Sequence, residues 1–398
     1  MNARIPTRID RYPAKMVSRL ATRLVNKYAS SGTNLLDPFA GSGAVIVAAK
    51  ESGMSVSGVD LNPIASLFAR VKLKGFNADR AADLLFRITR TADRGKHILP
   101  IDWNAKSYWF SAGTLRKLEA IRGTIRHLHI ESSNERAAVL LSLALAVRAC
   151  SRADQRSPKP FISKTAITER SGHHYCPFKI VSRILEELID YYGACLPEFG
   201  SDRFIVADVG AKNALSKRLP LHSHIITSPP YINAQDYFRN FKLELFVLEG
   251  LLPYRVASFK NRFIGSERGV SCDNIDREEI AWLHKRLGVL DAIDQKSPQN
   301  GKIVRRYFSD MRNAITNMWS CLKPGGVLVI VCGDNLVAGE RIRTSHLIFE
   351  IVNQIGFRFF DSFVDPIKDR LLAPKRLGHI GLIKEEMILA FKKPGRKK

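Results

Sequence analysis

Along this chain of 398 residues, short apolar runs that end in an acid alternate with apolar positions at helical spacing. Met16, Val17, Leu20, Leu24 and Val25 share one helical face, so PAKMVSRLATRLVNKYA predicts an opening amphipathic helix started by Pro13. The run TNLLD then reads as a strand and PFAGSG as a glycine turn. The stretch AVIVAAKESG reads as a helix closing at Gly53. A second strand, MSVSGVD, ends on Asp60, and LNPIASLFARVK predicts the next helix, with Asn62 as its cap and Pro63 in its first turn. Two strand-turn-helix units in series imply an open α/β sheet whose ligands bind at the carboxyl ends of the strands.

That rhythm breaks between residues 76 and 200. There ADRAADLLFRITRTA, AGTLRKLEAIRGTIRHL, ERAAVLLSLALAVRAC and VSRILEELIDYYGACL carry helical periodicity around a connector, SPKPFISKT, so the block reads as a helical insertion. Strand patterns return with RFIVAD, HSHIITS and GGVLVIVCGD, and FRFFDSFVD with EEMILAFKK predicts an antiparallel closing pair. Residues 250–304 read as a second, irregular insertion rich in Arg and Lys, and KKPGRKK as a basic tail. The amphipathic stretch YFSDMRNAITNMWSCL after Arg305 and Arg306 turns Met311, Ile315, Met318 and Trp319 toward a core rather than toward a base.

Charge narrows the partners. Lys plus Arg number 62 against 38 Asp plus Glu, a formal +24 with pI near 10, which builds a field suited to a polyanion and makes nucleic acid the expected partner. No basic amphipathic helix with an aromatic face suggests a membrane surface. No run approaches the roughly 20 apolar residues of a bilayer span, and MNARIPTRIDRYPAK lacks the apolar core of a signal peptide, so a cytoplasmic location is expected. The six cysteines are scattered without a CxxC pair, which argues against a zinc ribbon or a disulfide framework. The adjacent histidines of HHYC, residues 173–176, lack a spaced second pair and read as a polar loop, so no metal site is expected.

Chemistry concentrates at two strand ends. In DPFAGSG, Gly41 and Gly43 allow a sharp turn and close approach of a ligand where a β-carbon would collide. Ala44, Val45 and Ile46 follow where a pyrophosphate loop would want a further glycine, which weakens a dinucleotide reading. Asp60 stands at the position where a carboxylate receives ribose hydroxyls, so loop and acid together describe an adenosine-containing ligand. Later, TSPPYINAQDY ends a buried strand on two prolines that cannot donate to a sheet ladder. Pro229, held extended by Pro230, can present its carbonyl beside the Ser228 hydroxyl as a pair of acceptors for an amino group. Tyr231 offers a flat face for a planar heterocycle, an interaction of about 1–3 kcal/mol per base.

With DPFAGSG, VDLNP and TSPPY in this order, the chain resembles the S-adenosylmethionine-dependent methyltransferases that modify exocyclic amino groups of DNA bases, and TSPPY resembles the cytosine-N4 type most. RYPAKMVSRLATRLV is similar to that family's opening motif, and LKPGGVLVIVCGD to a more general methyltransferase feature. The resemblance implies a Rossmann-like methyltransferase sheet, mostly parallel with an antiparallel C-terminal strand, plus the helical insertion. On it, residues 1–75, 201–249 and 305–392 form the catalytic domain, 76–200 and 250–304 are insertions in one of which target recognition resides, and 393–398 is the tail.

The resemblance also assigns roles. Asp37, Pro38, Phe39, Gly41 and Gly43 would line the cofactor, Asp60 would hold its ribose, Asp208 its adenine amino group, and Pro13 and Lys15 its methionine portion. Ser228, Pro229, Pro230 and Tyr231 would receive the target base, and transfer would run in line from sulfonium to nitrogen without a cysteine nucleophile. Reaching that nitrogen in double-stranded DNA requires flipping the base, at a cost of a few kcal/mol. Three alternatives stay open at this point: adenine-N6 methylation, an RNA base as target, and a catalytically silent nucleic-acid-binding protein.

Overall fold

The computed structural model describes residues 12, 16–128, 133–155, 159–164, 176–192, 203–205, 219–232, 237–259, 262–266, 271–367 and 383–395. Among them a seven-stranded sheet runs in the order β3-β2-β1-β4-β5-β9-β8. Its strands are β1 (Asn34–Asp37), β2 (Ser55–Val59), β3 (Arg203–Ile205), β4 (His222–Thr227), β5 (Leu322–Cys332), β8 (Arg358–Pro366) and β9 (Glu385–Lys392). β1 to β5 pair in parallel, and β9 runs antiparallel between β5 and β8. This is the expected Rossmann-like methyltransferase sheet, mostly parallel with an antiparallel C-terminal strand. The chain reverses its strand order at β1 and β4, the switch point where open α/β sheets bind ligands.

Local signals explain the first half. Helix α1 spans Ser18–Tyr28 and buries Leu20, Ala21, Leu24, Val25 and Tyr28 on the sheet. It begins at Ser18, with Val17 extended before it, rather than at Pro13, which lies outside the described residues. Helix α2 (Ala44–Glu51) starts behind Gly43, and α3 (Pro63–Lys74) starts behind Asn62, whose side chain accepts from the Ile64 N–H while Pro63 occupies the first turn. The α3 helix is apolar almost all round because it serves two cores. Ala69 and Leu73 pack with α1, α2 and the sheet, whereas Ile64, Leu67, Phe68 and Val71 belong to the core of the helical block.

That block consists of α4 (Ala78–Asp93), α5 (Lys106–Trp109), α6 (Ala112–His127), α7 (Asn134–Cys150) and the helix Pro177–Tyr192. Asn77, Ser111 and Ser133 cap α4, α6 and α7 by accepting backbone N–H groups. A buried and a half-buried arginine fasten the block. Arg122 of α6 donates to the Leu99 carbonyl at 2.5 Å and the Glu249 carbonyl at 2.6 Å, and Arg136 of α7 donates to the Leu251 carbonyl at 2.8 Å. Gly123 makes the close approach possible, since a β-carbon there would collide with the His97 carbonyl.

The opposite face of the sheet carries the helices Arg277–Leu287, Leu290–Lys296, Pro298–Cys321 and Thr344–Ile355. Two of these occupy residues expected to be irregular. Asp276 caps the first by accepting from the Glu278 N–H, and Gly288 ends it at φ +60°. Ser297 caps Pro298–Cys321, so the helix anticipated after Arg306 begins well upstream. As expected, Met311, Ile315 and Met318 are fully buried in this core, and Trp319 packs at its margin. The hairpin of β6 (Asn335–Val337) and β7 (Glu340–Ile342) was not anticipated; its strands are three residues each, too short to show alternation. No helix of the described residues is long and apolar enough to cross a membrane.

Candidate active site

The glycine loop forms at the carboxyl end of β1. The Ala40 N–H donates to the Val59 carbonyl at 2.9 Å, which ties the loop to the end of β2. Gly41 (φ +50°) and Gly43 (φ +89°) take backbone conformations that L-residues rarely adopt. A β-carbon on Gly43 would sit 3.1 Å from Ala69 of α3. The Gly41 N–H donates to Asp60 Oδ2 at 2.8 Å, and Oδ1 of the same acid accepts from the Asn62 N–H at 2.7 Å. The acid at the end of the second unit thus receives the loop amide.

Two acids meet here in unfavourable surroundings. Asp37, 2% exposed, accepts at Oδ1 from the Phe39 N–H at 3.1 Å and from the Thr227 hydroxyl at 2.6 Å. Burial nevertheless pushes its pKa up to about 7; the two hydrogen bonds oppose the shift and the charge of Asp60 adds to it. Burial raises Asp60 to about 6 against its two backbone donors. Asp60 keeps part of its surface accessible. The Ser42 hydroxyl in the same loop is 2% exposed and has no partner among the described residues.

The diproline bend lies next to this loop. β1 and β4 are adjacent parallel strands, with Leu36 opposite Ile225, so Asp37 and Thr227 end side by side and their hydrogen bond joins DPFAGSG to TSPPY. Beyond Thr227, Ser228, Pro230 and Tyr231 are half-buried and Pro229 is buried. Three contacts clamp the chain at Tyr231 and Ile232. The Tyr231 hydroxyl donates to Glu386 Oε1 at 2.5 Å, the Ile232 carbonyl accepts from Asn335 Nδ2 at 3.1 Å, and Gly265 presses so close that a β-carbon there would lie 3.1 Å from the Tyr231 carbonyl oxygen. Burial raises the Tyr231 phenol well above its ordinary range, with the Glu386 charge adding to the shift and the Ser228 hydroxyl opposing it.

The structure therefore brings together Asp37, Pro38, Phe39, Gly41, Gly43 and Asp60 with Ser228, Pro229, Pro230 and Tyr231. Pro13, Lys15 and Asp208 lie outside the described residues, as do His173 and His174. Cys176 of the HHYC segment has Lys117 Nζ 3.6 Å from its sulfur. Sequence reasoning passed over Tyr12, Thr227 and Glu386. Tyr12, 5% exposed, stacks on Phe241 at 5.1 Å, accepts from Asn62 Nδ2 at 3.3 Å and borders Gly41, where a β-carbon would come within 3.4 Å of its ring. Its position directly before Pro13 in the opening motif was the available signal.

One cluster with metal-ligand chemistry stands elsewhere. His284, Asp291 and Asp294 converge, but Arg305 donates to both oxygens of Asp294 and lies 3.2 Å from His284 Nε2, so a guanidinium fills the place of a cation.

A mostly parallel sheet of this order carries the glycine loop and the diproline bend at its switch point, and comparison with known proteins finds the chain similar to a DNA methylase family and to type II methyltransferases. Residues 2–67 match the family model described as "DNA methylase", of the N6/N4 type. The chain is 24% identical over 383 residues to the type II methyltransferase M.AvaI of Nostoc sp., covering 85% of this chain and 76% of that protein. It is 23% identical over 408 residues to M.BsoBI of Geobacillus stearothermophilus, covering 87% and 78%. Among solved structures, TrmN from Thermus thermophilus aligns over 97% of this chain and 51% of its own at 11% identity and a TM-score of 0.35. A TehB-like SAM-dependent methyltransferase from Corynebacterium glutamicum aligns over 96% and 90% at 11% identity and a TM-score of 0.32. The match to the DNA methylase model thus covers residues 2–67, and the similarity to type II methyltransferases extends over most of the chain.

Proposed function

We propose that this protein transfers a methyl group from S-adenosylmethionine to the exocyclic amino nitrogen of a flipped DNA base, cytosine N4 being the target, as the modifying half of a restriction-modification pair. The observation that carries the reading is the Asp37–Thr227 hydrogen bond, which sets the cofactor loop and the base-receiving bend into one cleft. The residues present fit the cofactor. Gly41 and Gly43 allow the sharp turn of the loop, the Ser42 hydroxyl is buried with no partner among the described residues, and Asp60 keeps part of its surface accessible.

When bound, S-adenosylmethionine supplies an electrophilic methyl group on a sulfonium. Asp60 accepts the ribose hydroxyls while its other contacts fix the loop, and Asp37, buried beneath, provides negative potential for the cation. Ser228 Oγ and the Pro229 carbonyl accept from the base amino group and draw its nitrogen toward tetrahedral geometry. That would stabilise the positive charge developing as the nitrogen lone pair bonds the methyl carbon, while the carbon–sulfur bond breaks with its electron pair passing to sulfur and the nitrogen then releases one proton to solvent. Tyr231 supplies the stacking face. Duplex DNA is bound by the positive surface, and the helical block, the larger insertion, carries target recognition.

Incubation with labelled cofactor and duplex DNA, followed by mass spectrometry of the nucleosides, tests this. N4-methylcytosine is the expected product. N6-methyladenine would move the target to adenine, label on RNA but not on DNA would move it to RNA, and absence of cofactor binding in calorimetry would overturn the enzyme reading altogether.

A further inference from the structure

We propose that Glu386 is a positioning residue for the base site: it locks the ring of Tyr231 in the orientation in which it receives the base. The inference rests on the proposed function of the Ser228–Tyr231 bend.

Glu386 is the second residue of β9, an otherwise apolar strand whose Ile388, Leu389, Ala390 and Phe391 are buried. Because β9 runs antiparallel to β5, with Met387 opposite Cys332, the beginning of β9 lies beside the end of β5, at the carboxyl edge where the site is. From there the carboxylate reaches the Tyr231 hydroxyl at 2.5 Å across 155 residues of sequence. Among the described residues no Lys or Arg forms an ion pair with Glu386, and its strand neighbour across the ladder is Asp365. A half-buried acid beside another acid is a cost that sheet packing does not require. Its partner on the site side is the phenol, and burial raises the Glu386 carboxyl while that hydrogen bond lowers it.

The geometry is specific to holding a ring. Asn335 and Gly265 fix the backbone at Tyr231 and Ile232, but a tyrosine fixed only at its backbone can still rotate about its two side-chain torsions. A charge-assisted O–H···O bond at the far end of the ring removes that freedom. With the phenol donating to β9, the face of the ring is left for the base. The C-terminal hairpin thereby contributes to a site that the sequence places in the middle of the chain.

The test uses the full-length protein, duplex DNA and labelled S-adenosylmethionine, with wild type, Glu386→Ala, Glu386→Gln, Tyr231→Phe and the Tyr231→Phe/Glu386→Ala double variant. Thermal melting establishes which variants are folded, and calorimetry gives cofactor affinity. Glu386→Ala should lower kcat by roughly tenfold to a hundredfold, as loss of positioning does, with cofactor affinity unchanged within about twofold. Glu386→Gln should regain most of the loss, because its amide oxygen still accepts from the phenol. The double variant should be no slower than the slower single one. A wild-type rate in Glu386→Ala, a Gln variant as slow as the Ala variant, or multiplying losses in the double variant would each overturn the inference. Should Glu386→Ala fail to fold, the Gln and Tyr231→Phe variants carry the decision: a near-wild-type Gln variant beside a slowed Phe variant supports the inference, and any other result overturns it. A wild type that methylates no DNA overturns the proposed function beneath it, which an active wild type with an indifferent Glu386 does not.

Discussion

The cleft at the strand ends and the helical block both bury charge, and they treat it in opposite ways. In the block, Arg122 and Arg136 direct their guanidinium groups at backbone carbonyls of Leu99, Glu249 and Leu251, which are fixed acceptors already in place when the chain folds. At the cleft, Asp37 and Asp60 accept from a hydroxyl and backbone N–H groups, meet no cation among the described residues, and are pushed up to about 7 and about 6 by burial. Charge in the block docks one part of the chain on another, although the Nε of Arg122 and of Arg136 has no acceptor among the described residues and burial lowers the pKa of Arg122 to about 10. At the strand ends two carboxylates are raised together by burial, and perturbed acids grouped in this way are a mark of candidate functional sites.

The largest effect should come from breaking the arginine side. Arg122→Ala leaves the Leu99 and Glu249 carbonyls without their donors and opens a void between α6 and the chain beneath it. A loss of about 3–5 kcal/mol of stability is expected, the range for removing one partner of a buried charged contact. Thermal and urea unfolding would measure it, and cofactor affinity at a temperature where the variant is folded should stay near that of wild type. If affinity falls with stability, the two regions are not separable in the way described.

On the other side, Asp60→Ala should cost binding rather than folding. The acid that organises the Gly41 and Asn62 N–H groups and offers lone pairs to the ribose is removed, so affinity for S-adenosylmethionine should drop by about 100-fold, roughly 2–3 kcal/mol. Calorimetry gives the number. Its pH dependence has a fixed sign: the carboxylate must be ionised to accept from hydroxyls, so wild-type affinity should weaken as pH falls through about 6.

Asp37→Asn sharpens the comparison further, because it separates the cost of a charge from the value of its hydrogen bonds. Oδ1 accepts both the Thr227 hydroxyl and the Phe39 N–H, and an amide oxygen can do the same. Since the folded pKa of Asp37 is raised from 3.8 to about 7, the folded state binds the extra proton between those values. The group's contribution is fully present below about pH 4 and is lost as pH rises through 7. The Asn variant should therefore be more stable than wild type at pH 8 and nearly equal to it at pH 4. Its methyl-transfer rate should fall, and unfolding curves at the two pH values together with a turnover assay test both halves.

What could be read from sequence divides along a related line. The glycine loop, the Asn62 cap, the strand end at Asp37 and the diproline bend are local signals, each set by residues within a few positions of one another, and they stand where expected, while the second strand ends at Val59, one residue before Asp60. Contacts that depend on strand order were not legible: Thr227 on Asp37 needs β1 beside β4, and Glu386 on Tyr231 needs β9 turned antiparallel beside β5. Two acids opening an apolar strand, EEMILAF, were the available hint for the second. The helices over 277–296 were missed because their faces are mostly polar, with Leu283, Leu290 and Ile293 as the buried anchors, too few for a clear period. The charge of +24 also overstates the free positive surface, since Arg122 and Arg136 are turned inward.

The smallest expected effect probes the seam between the two regions. Tyr12 touches both: its ring borders Gly41 and stacks on Phe241, which belongs to the core of the helical block, and its hydroxyl accepts from the buried Asn62 Nδ2 at 3.3 Å. Tyr12→Phe keeps the stacking and deletes the acceptor, so about 0.5–1.5 kcal/mol of stability should be lost, the net value of one neutral hydrogen bond. Because Asn62 also caps α3 through a different atom, Oδ1, the helix start should be unaffected and the loop only loosened. Hydrogen exchange resolves this: faster exchange at Gly41 and its neighbours with unchanged protection along α3 is the expected pattern. Faster exchange along α3 instead would mean that Asn62 needs both contacts to hold the cap, and the seam would then be part of the block rather than of the cleft.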